Sequence, residues 1–216
     1  MSPSTRRRTW SLKPIVGIAV LAVLLVGMFL DTKFLTPAEV AKQNPAEFNA
    51  ETYAKEQFPK VARMIKQKAT DLVVLAPAID ANLAAAGKQY GNDLGNGSYA
   101  FPVKATGAAT SVDPNFMVLS VPGVPTGTVV RVPVGGSISG TPVRDCTGAI
   151  KFGDFAGQTD FQSVANQFKL RIQQDVIAKV DVASLQGKQV TVYGAWATGG
   201  PPKSFLIQPV EIGSAK

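Results

Sequence analysis

The sequence predicts an α+β protein: a small β-barrel with one inserted helix, preceded by a helical layer and an N-terminal transmembrane helix. An uncharged apolar run near the N-terminus, helical periodicity over residues 49–90 and alternating strands after residue 98 carry this prediction. With 216 residues, of which 45% are hydrophobic, the chain is long enough for one folded domain with a short appendage.

The N-terminal segment predicts membrane insertion. Residues 14–30 read PIVGIAVLAVLLVGMFL and carry no charge. As a helix they span about 25 Å, and flanking apolar residues extend them toward the ~30 Å hydrocarbon core. Arginines at 6–8 and Lys13 precede the run, so the positive-inside rule places them in the cytoplasm. We expect a basic cytoplasmic tail at 1–13, a single-pass signal anchor at 14–34 and a main domain outside the membrane.

Processing of this segment leaves one alternative open. Cleavage of a signal peptide would also export the domain, although residues 27–31 lack the small-residue pattern of a cleavage site. No cysteine follows the apolar run to carry a lipid, because the single cysteine is Cys146. We favour the uncleaved anchor, with membrane lipid as its partner.

Composition excludes several classes of function. The chain has no histidine, which excludes Ser-His-Asp and Cys-His catalysis and histidine metal sites. Four of the 22 Lys and Arg residues precede any acidic residue, so the rest is nearly balanced against 15 Asp and Glu. This balance is a weak basis for nucleic-acid binding. We expect no metal, no cofactor and no nucleic-acid partner.

Residues 35–97 predict a helical segment. Asn49 is the expected N-cap of a helix over 49–70, which Pro59 should kink or restart. A second helical stretch follows to about Tyr90, with an interruption near Pro77. Residues 92–97 are polar and glycine-rich, which is typical of a hinge.

Residues 98–216 predict the barrel. Strands are expected at 98–104, 116–121 and 129–134, with 138–143 extending the third, then a helix at 159–180 that Thr159 and Gln162 cap. A hairpin of strands 190–196 and 205–212, joined by 198–202, completes the chain. Three strands, a helix and two strands is the order of the five-stranded OB barrel. An open α+β sandwich or a different small barrel are the competing interpretations.

A family resemblance extends over residues 48–212. Its strongest pieces are the segment 140–145, which reads GTPVRD, and 152–158, which reads FGDFAGQ. Phe48, Tyr53 and the strand at 99–104 add to it. The sequence resembles the domain of unknown function 2291 family, predicted periplasmic lipoproteins. The resemblance implies an extracytoplasmic, membrane-attached protein, encoded beside ribose-type sugar ABC transporters, but the lipid-bearing cysteine is missing here.

Four residues are candidate ligand contacts. Arg144 beside Asp145 could present a guanidinium fork to a sugar hydroxyl or carboxylate, although a structural ion pair explains the same pattern. Asp154 lies between two phenylalanines. Arg131 alternates with valines and therefore points away from their face.

These observations predict a non-enzymatic accessory protein. Its barrel would bind a small ligand or a protein partner, such as a sugar transporter component, on the face of its second and third strands. An envelope glycan hydrolase using Asp154 and Asp145 is one alternative, since glycosidases use two carboxylates. A purely structural envelope protein is the other.

Overall fold

The computed structural model describes residues 12–32, Thr36, 48–136 and 138–214. The predicted basic tail lies outside these residues up to position 11, as do residues 33–35 and 37–47, at the end of the predicted anchor and the start of the predicted helical segment. The chain divides into two compact units, Met1–Glu47 and Phe48–Lys216.

The first unit contains helix α1, Leu12–Asp31, which coincides with the apolar run. Its described side chains, from Val16 to Leu30, are all exposed. Within the described part of the chain, no helix has the combined length and apolarity needed to cross a membrane. The single-pass anchor predicted at 14–34 is therefore not confirmed.

Helix α2, Ala50–Lys68, opens the second unit. Asn49 caps it as predicted, because its side chain accepts a hydrogen bond from the Thr52 N–H at 2.9 Å. Pro59 lies inside α2 without ending it. Phe58 and Val61, on either side of the proline, are buried in the core, and this packing outweighs the hydrogen bond that proline removes. The predicted restart at Pro59 is wrong.

The second helical stretch is two helices that follow the short strand β1, Thr70–Asp71. They are α3, Leu72–Ala81, and α4, Leu83–Tyr90. The break falls at Asn82 rather than near Pro77. Asn82 ends α3 with its N–H on the Ala78 carbonyl, and its side chain accepts from the Ala85 N–H to begin α4. A residue that can cap a helix thus sets the break, while Pro77 stays inside α3.

The barrel begins with strands β2, Asn92–Gly95, and β3, Ser98–Val112. The predicted hinge at 92–97 is instead a hairpin, because β2 pairs antiparallel with the start of β3. Strand β3 also extends eight residues beyond the predicted end at 104. It pairs with four other strands and is therefore the central strand of the sheet.

Strands β4, Phe116–Ser120, and β5, Val129–Pro133, lie where strands are predicted and pair with each other as an antiparallel hairpin. Residues 138–143 do not extend it. Pro142 begins the one-turn helix α5, Pro142–Asp145, and proline has no N–H to donate to a central strand. The strand prediction for 138–143 is therefore wrong.

Helix α6, Gln158–Arg171, is the inserted helix. It continues to residue 179 through a wider turn, Ile172–Val176, and a tighter one, Ile177–Lys179. The predicted cap at Thr159 is wrong, because the helix begins one residue earlier and Gly157 occupies the cap position without a side chain.

The last strands close the barrel. They are β6, Gln189–Ala197, β7, Ser204–Leu206, and β8, Gln208–Ser214. Strand β3 pairs antiparallel with β4 and β6, and β8 pairs with β6. The parallel pairing of β5 with β7 brings the two ends of the sheet together. Because β7 and β8 are separated only by Ile207, they act as one bent final strand of a nearly closed, barrel-like sheet with the order β7-β5-β4-β3-β6-β8. The predicted α+β architecture with a barrel-like sheet is confirmed, but β1 and β2 pair with β3 in addition to the five predicted strands.

The core joins the barrel to the helices. Phe58 of α2 packs edge to face on Phe168 of α6, with ring centroids 5.6 Å apart. Inside the barrel, Phe101 stacks on Trp196, which lies on the same face of β6 as the buried Val190 and Val192. The helices and the barrel therefore share one hydrophobic core, which fixes the strand ends and loops around the site described next.

Candidate functional site

A concave surface, here called the barrel groove, lies against strands β4 and β5. It has a volume of about 810 Å³. Phe116 and Arg131 form its floor with Trp196 of β6, and its walls are the loop 198–202 and the segment 139–142. Strands β4 and β5 are the second and third barrel strands, whose face the sequence predicts as the binding surface. OB barrels use this face together with the loop between the fourth and fifth barrel strands, and that loop, 198–202, is one wall of the groove here.

Arg131 is the only charged residue among the described residues that line the barrel groove. Its neighbours Val130 and Val132 are buried, whereas Arg131 is exposed, so the alternation predicted for this strand is confirmed. The Arg131 carbonyl accepts the Ile207 N–H at 2.8 Å, at the bend of the final strand. The predicted contact residue thus lies on a backbone position fixed by barrel closure.

The charge of Arg131 acts on the pKa of one acidic residue, Asp113. The N–H groups of Asn115 and Phe116 donate to its Oδ1 at 2.7 and 2.8 Å, and these bonds lower the pKa of the carboxyl. The positive charge of Arg131 lowers this pKa further. Asp113 therefore stays ionised and holds the turn that leads into β4 at the edge of the groove.

Arg144 and Asp145 form a buried ion pair beside the groove. The Arg144 side chain donates from Nε to Asp145 Oδ1 at 2.6 Å and from its terminal nitrogens to Asp145 Oδ2 and the Phe161 carbonyl. The guanidinium lies 3.5 Å from the centroid of the Phe161 ring. The Thr141 hydroxyl donates to Asp145 Oδ2 at 2.5 Å. These contacts fasten α5 to α6, so the geometry gives the pair a structural role.

A second cavity of about 520 Å³ lies next to the barrel groove, and Arg144 and Asp145 line it. Leu94, at the tip of the β2 hairpin, lines both cavities and is 42% exposed. The two predicted contacts are therefore close to the groove, but their polar groups already bind each other, Thr141 and Phe161.

Asp154 lines neither cavity, although Lys151 and Phe152 of the same turn line the second one. Its Oδ2 accepts from the Lys151 N–H at 3.0 Å and so caps the turn Phe152–Asp154. Next to it, Phe155 packs edge to face on Phe48 and Tyr53. Burial raises the pKa of the Tyr53 hydroxyl, and the Asp154 charge raises it further. The structure does not bring Asp154 together with Arg131.

The acidic and cysteine side chains near the two cavities are already engaged in hydrogen bonds or buried. Asp145 and Asp154, the carboxylates of the hydrolase alternative, are engaged by an arginine and by a backbone N–H. Among the described residues, no group of three acidic or cysteine side chains could hold a metal ion. Burial raises the pKa of the Cys146 thiol, and the Asp145 charge adds to this, so the thiol stays protonated.

Sequence reasoning missed the loop 198–202 as part of the site. Lys203, at its end, has φ +55° and is held there by Nζ contacts to Asp80 at 3.6 Å and to the Thr126 carbonyl at 3.2 Å. The left-handed region is uncommon for lysine, so these two contacts hold the end of the loop in a strained backbone conformation. The glycine and proline content predicted only a hairpin turn, but its place between the last two barrel strands was the available signal.

Comparison with known proteins gives a family and a fold. The sequence pattern of a family of predicted periplasmic lipoproteins (DUF2291) matches residues 18–213. The chain is also similar to the crystal structure of an OB-fold protein from Thermotoga maritima, with 16% identity and a TM-score of 0.67. This likeness covers 79% of this chain and 100% of that chain, and it establishes the OB fold alone. No curated protein matches the chain.

Proposed function

Since the chain belongs to this family of predicted periplasmic lipoproteins, we propose that its barrel is a non-enzymatic binding domain that holds a small ligand in the barrel groove. Family membership indicates an extracytoplasmic, membrane-associated protein. The observation that carries the proposal is the position of the groove on the strand face and loop wall that OB barrels use for ligands.

The size and chemistry of the barrel groove support a small ligand. Its volume of about 810 Å³ lies within the range of small-molecule sites. Trp196 and Phe116 supply apolar surface, and Arg131 and several hydroxyls supply polar contacts. A concave, largely apolar site with a few polar groups is the usual arrangement for binding a small molecule.

A binding role fits the site better than catalysis. In the groove itself Arg131 is accompanied by no acidic side chain, so no general acid or base lines it among the described residues. The Asp145 carboxylate binds Arg144 of α5, and the Asp154 carboxylate accepts the Lys151 N–H and caps a turn. The hydrolase alternative would need at least one of them free.

We further propose that the segment 14–34 tethers the domain to the membrane. The described side chains of α1 from Val16 to Leu30 are exposed and predominantly apolar, which favours a lipid environment. The arginines at 6–8 would hold the preceding tail in the cytoplasm. An association with a sugar transporter rests on the resemblance alone, and crosslinking in intact membranes followed by copurification of transporter subunits tests it.

Filling the barrel groove will abolish ligand binding. A Cβ at Gly200 would meet open space, so Gly200→Leu adds a bulky side chain at the groove wall without disturbing the fold. In full-length protein with Trp10→Phe, Trp196 is the single tryptophan. We expect its emission to change on titration with at least one of glucose, ribose and glucuronate, and Gly200→Leu to remove that change.

Gly213→Leu is the matched control. Gly213 lies in β8, outside the groove, and a Cβ there also meets open space. This variant should respond to ligand as the parent does. A parent that responds to none of the three sugars, or a Gly200→Leu variant that binds like the parent, would contradict the proposed function.

A further inference from the structure

The charge of the barrel groove points to the class of its ligand. Arg131 lies on the floor, between the apolar surface of Trp196 and Phe116 and the loop wall. No acidic side chain lines the groove among its described residues. The groove therefore presents one exposed cation within a mainly apolar and hydroxyl-bearing surface, and its positive charge attracts an anion.

The donors of Arg131 are not consumed within the protein. Over the described ranges, its side chain has neither an ion pair nor a hydrogen bond, whereas Arg144 uses donors on Nε and both terminal nitrogens internally. The nearest acid by electrostatic effect, Asp113, has its Oδ1 occupied by the N–H groups of Asn115 and Phe116. The Arg131 fork thus faces the groove with its planar set of donors available.

The hydrogen bonds of the polar atoms around Arg131 restrict the chemical class of the ligand further. Trp196 Nε1 donates to the Ser204 carbonyl at 3.2 Å, so the indole offers the groove only its apolar surface. The Thr198 hydroxyl donates to the Tyr99 carbonyl at 3.3 Å. The guanidinium is consequently the strongest unsatisfied donor in the groove, and a carboxylate matches its fork in shape and charge.

From this arrangement we infer that the barrel groove selects a small organic anion, whose carboxylate binds Arg131 while its ring or apolar face packs on Phe116 and on the small exposed part of Trp196. A sugar acid has this combination. The inference rests on the proposed function, since it names the ligand class of the same groove.

Removing the charge of Arg131 tests the inference. In the full-length Trp10→Phe protein, glucuronate should bind at least about tenfold more tightly than glucose, because a charge-assisted fork is the strong form of hydrogen bond. Arg131→Gln should remove that preference and leave glucose binding unchanged. Arg131→Lys should retain part of it, because lysine keeps the charge without the fork. Rising salt should weaken glucuronate binding more than glucose binding.

Two further measurements test whether the preference is specific for a carboxylate and specific for Arg131. Glucose 6-phosphate tests whether the groove accepts phosphate as well as carboxylate; equal or tighter binding of this probe would overturn the carboxylate assignment. Arg63→Gln removes an exposed arginine of α2, outside the groove, and should leave the preference intact.

The failure of this inference can be distinguished from failure of the proposed function. If glucose and glucuronate bind equally, Arg131→Gln changes neither, and Gly200→Leu still abolishes both, then the groove binds ligands without anion selection and the inference is wrong. If none of the probes changes Trp196 emission, the proposed function itself fails.

Discussion

Replacing Asp145 with asparagine will lower the free energy of unfolding by about 3–5 kcal/mol, because the charge of Arg144 then remains buried without its counter-charge. The two side chains are only 8% and 12% exposed, and the pair holds α5 against the Phe161 carbonyl and ring of α6. Urea unfolding of the full-length Trp10→Phe protein in mild detergent, followed by Trp196 fluorescence, measures the change.

Two variants make this result interpretable. Glu211→Gln breaks the Lys66–Glu211 pair, whose side chains are 43% and 47% exposed, and should cost less than about 1 kcal/mol. The double variant Arg144→Met with Asp145→Leu removes both buried charges and should be more stable than Asp145→Asn alone. A cost for Asp145→Asn no larger than that of Glu211→Gln would contradict the structural role of the pair.

Replacing Phe101 with alanine will destabilise the protein by about 3–5 kcal/mol and will also weaken ligand binding. Phe101 is fully buried at the crossing of β3 and β6, and its ring stacks on Trp196 at 5.5 Å between centroids. The cavity left behind would lie directly beneath the groove floor, so Trp196 would lose its support. Urea unfolding gives the stability, and titration of the folded protein gives the binding.

Phe152→Ala is the matched control, since Phe152 is 53% exposed and outside the barrel groove. It should change stability by less than about 1 kcal/mol and leave groove binding intact. If Phe101→Ala lowers stability but binds ligand with parental affinity, then the groove does not depend on Trp196 being held in place.

The sequence predicts the fold well where periodicity is strong and less well where small residues pack closely. The valines of β5 and β6 alternate clearly, and both strands lie where expected. The second half of β3, residues 105–112, contains alanines, threonines and Gly107 instead of large apolar residues. A Cβ at Gly107 would lie 2.2 Å from the Ser120 carbonyl oxygen, so the close approach of β4 requires the small residue that weakens the strand signal.

The helix boundaries show how capping competes with proline. Pro59 and Pro77 both lie inside helices, although each was expected to interrupt one. Asn82, whose side chain can cap the following helix, sets the actual break. Local rules identify the residues that can end a helix, but tertiary packing decides which of them does so.

The sequence predicts the site only in part, because one of its arginines is exposed and the other is buried by a residue far along the chain. Arg131 and Arg144 are the same residue type near glycine-rich turns, and the alternation of β5 correctly predicts that Arg131 is exposed. The burial of Arg144 depends on Phe161, 17 residues later, whose ring and carbonyl meet the guanidinium. Sequence spacing does not reveal such a contact, so the sequence leaves open whether Arg144 binds a ligand or forms a structural ion pair.

The central claim is a binding domain held on the outer side of the cell membrane, and labelling of a cysteine introduced on either side of the predicted anchor tests it most directly. Native Cys146 is buried and its thiol pKa is raised, so it should not react. Intact spheroplasts expressing Gly200→Cys or Ser4→Cys are treated with a membrane-impermeant maleimide before and after lysis. We predict that position 200 is labelled before lysis and position 4 only afterwards. Labelling of position 4 in intact spheroplasts, with position 200 protected until lysis, would contradict the account.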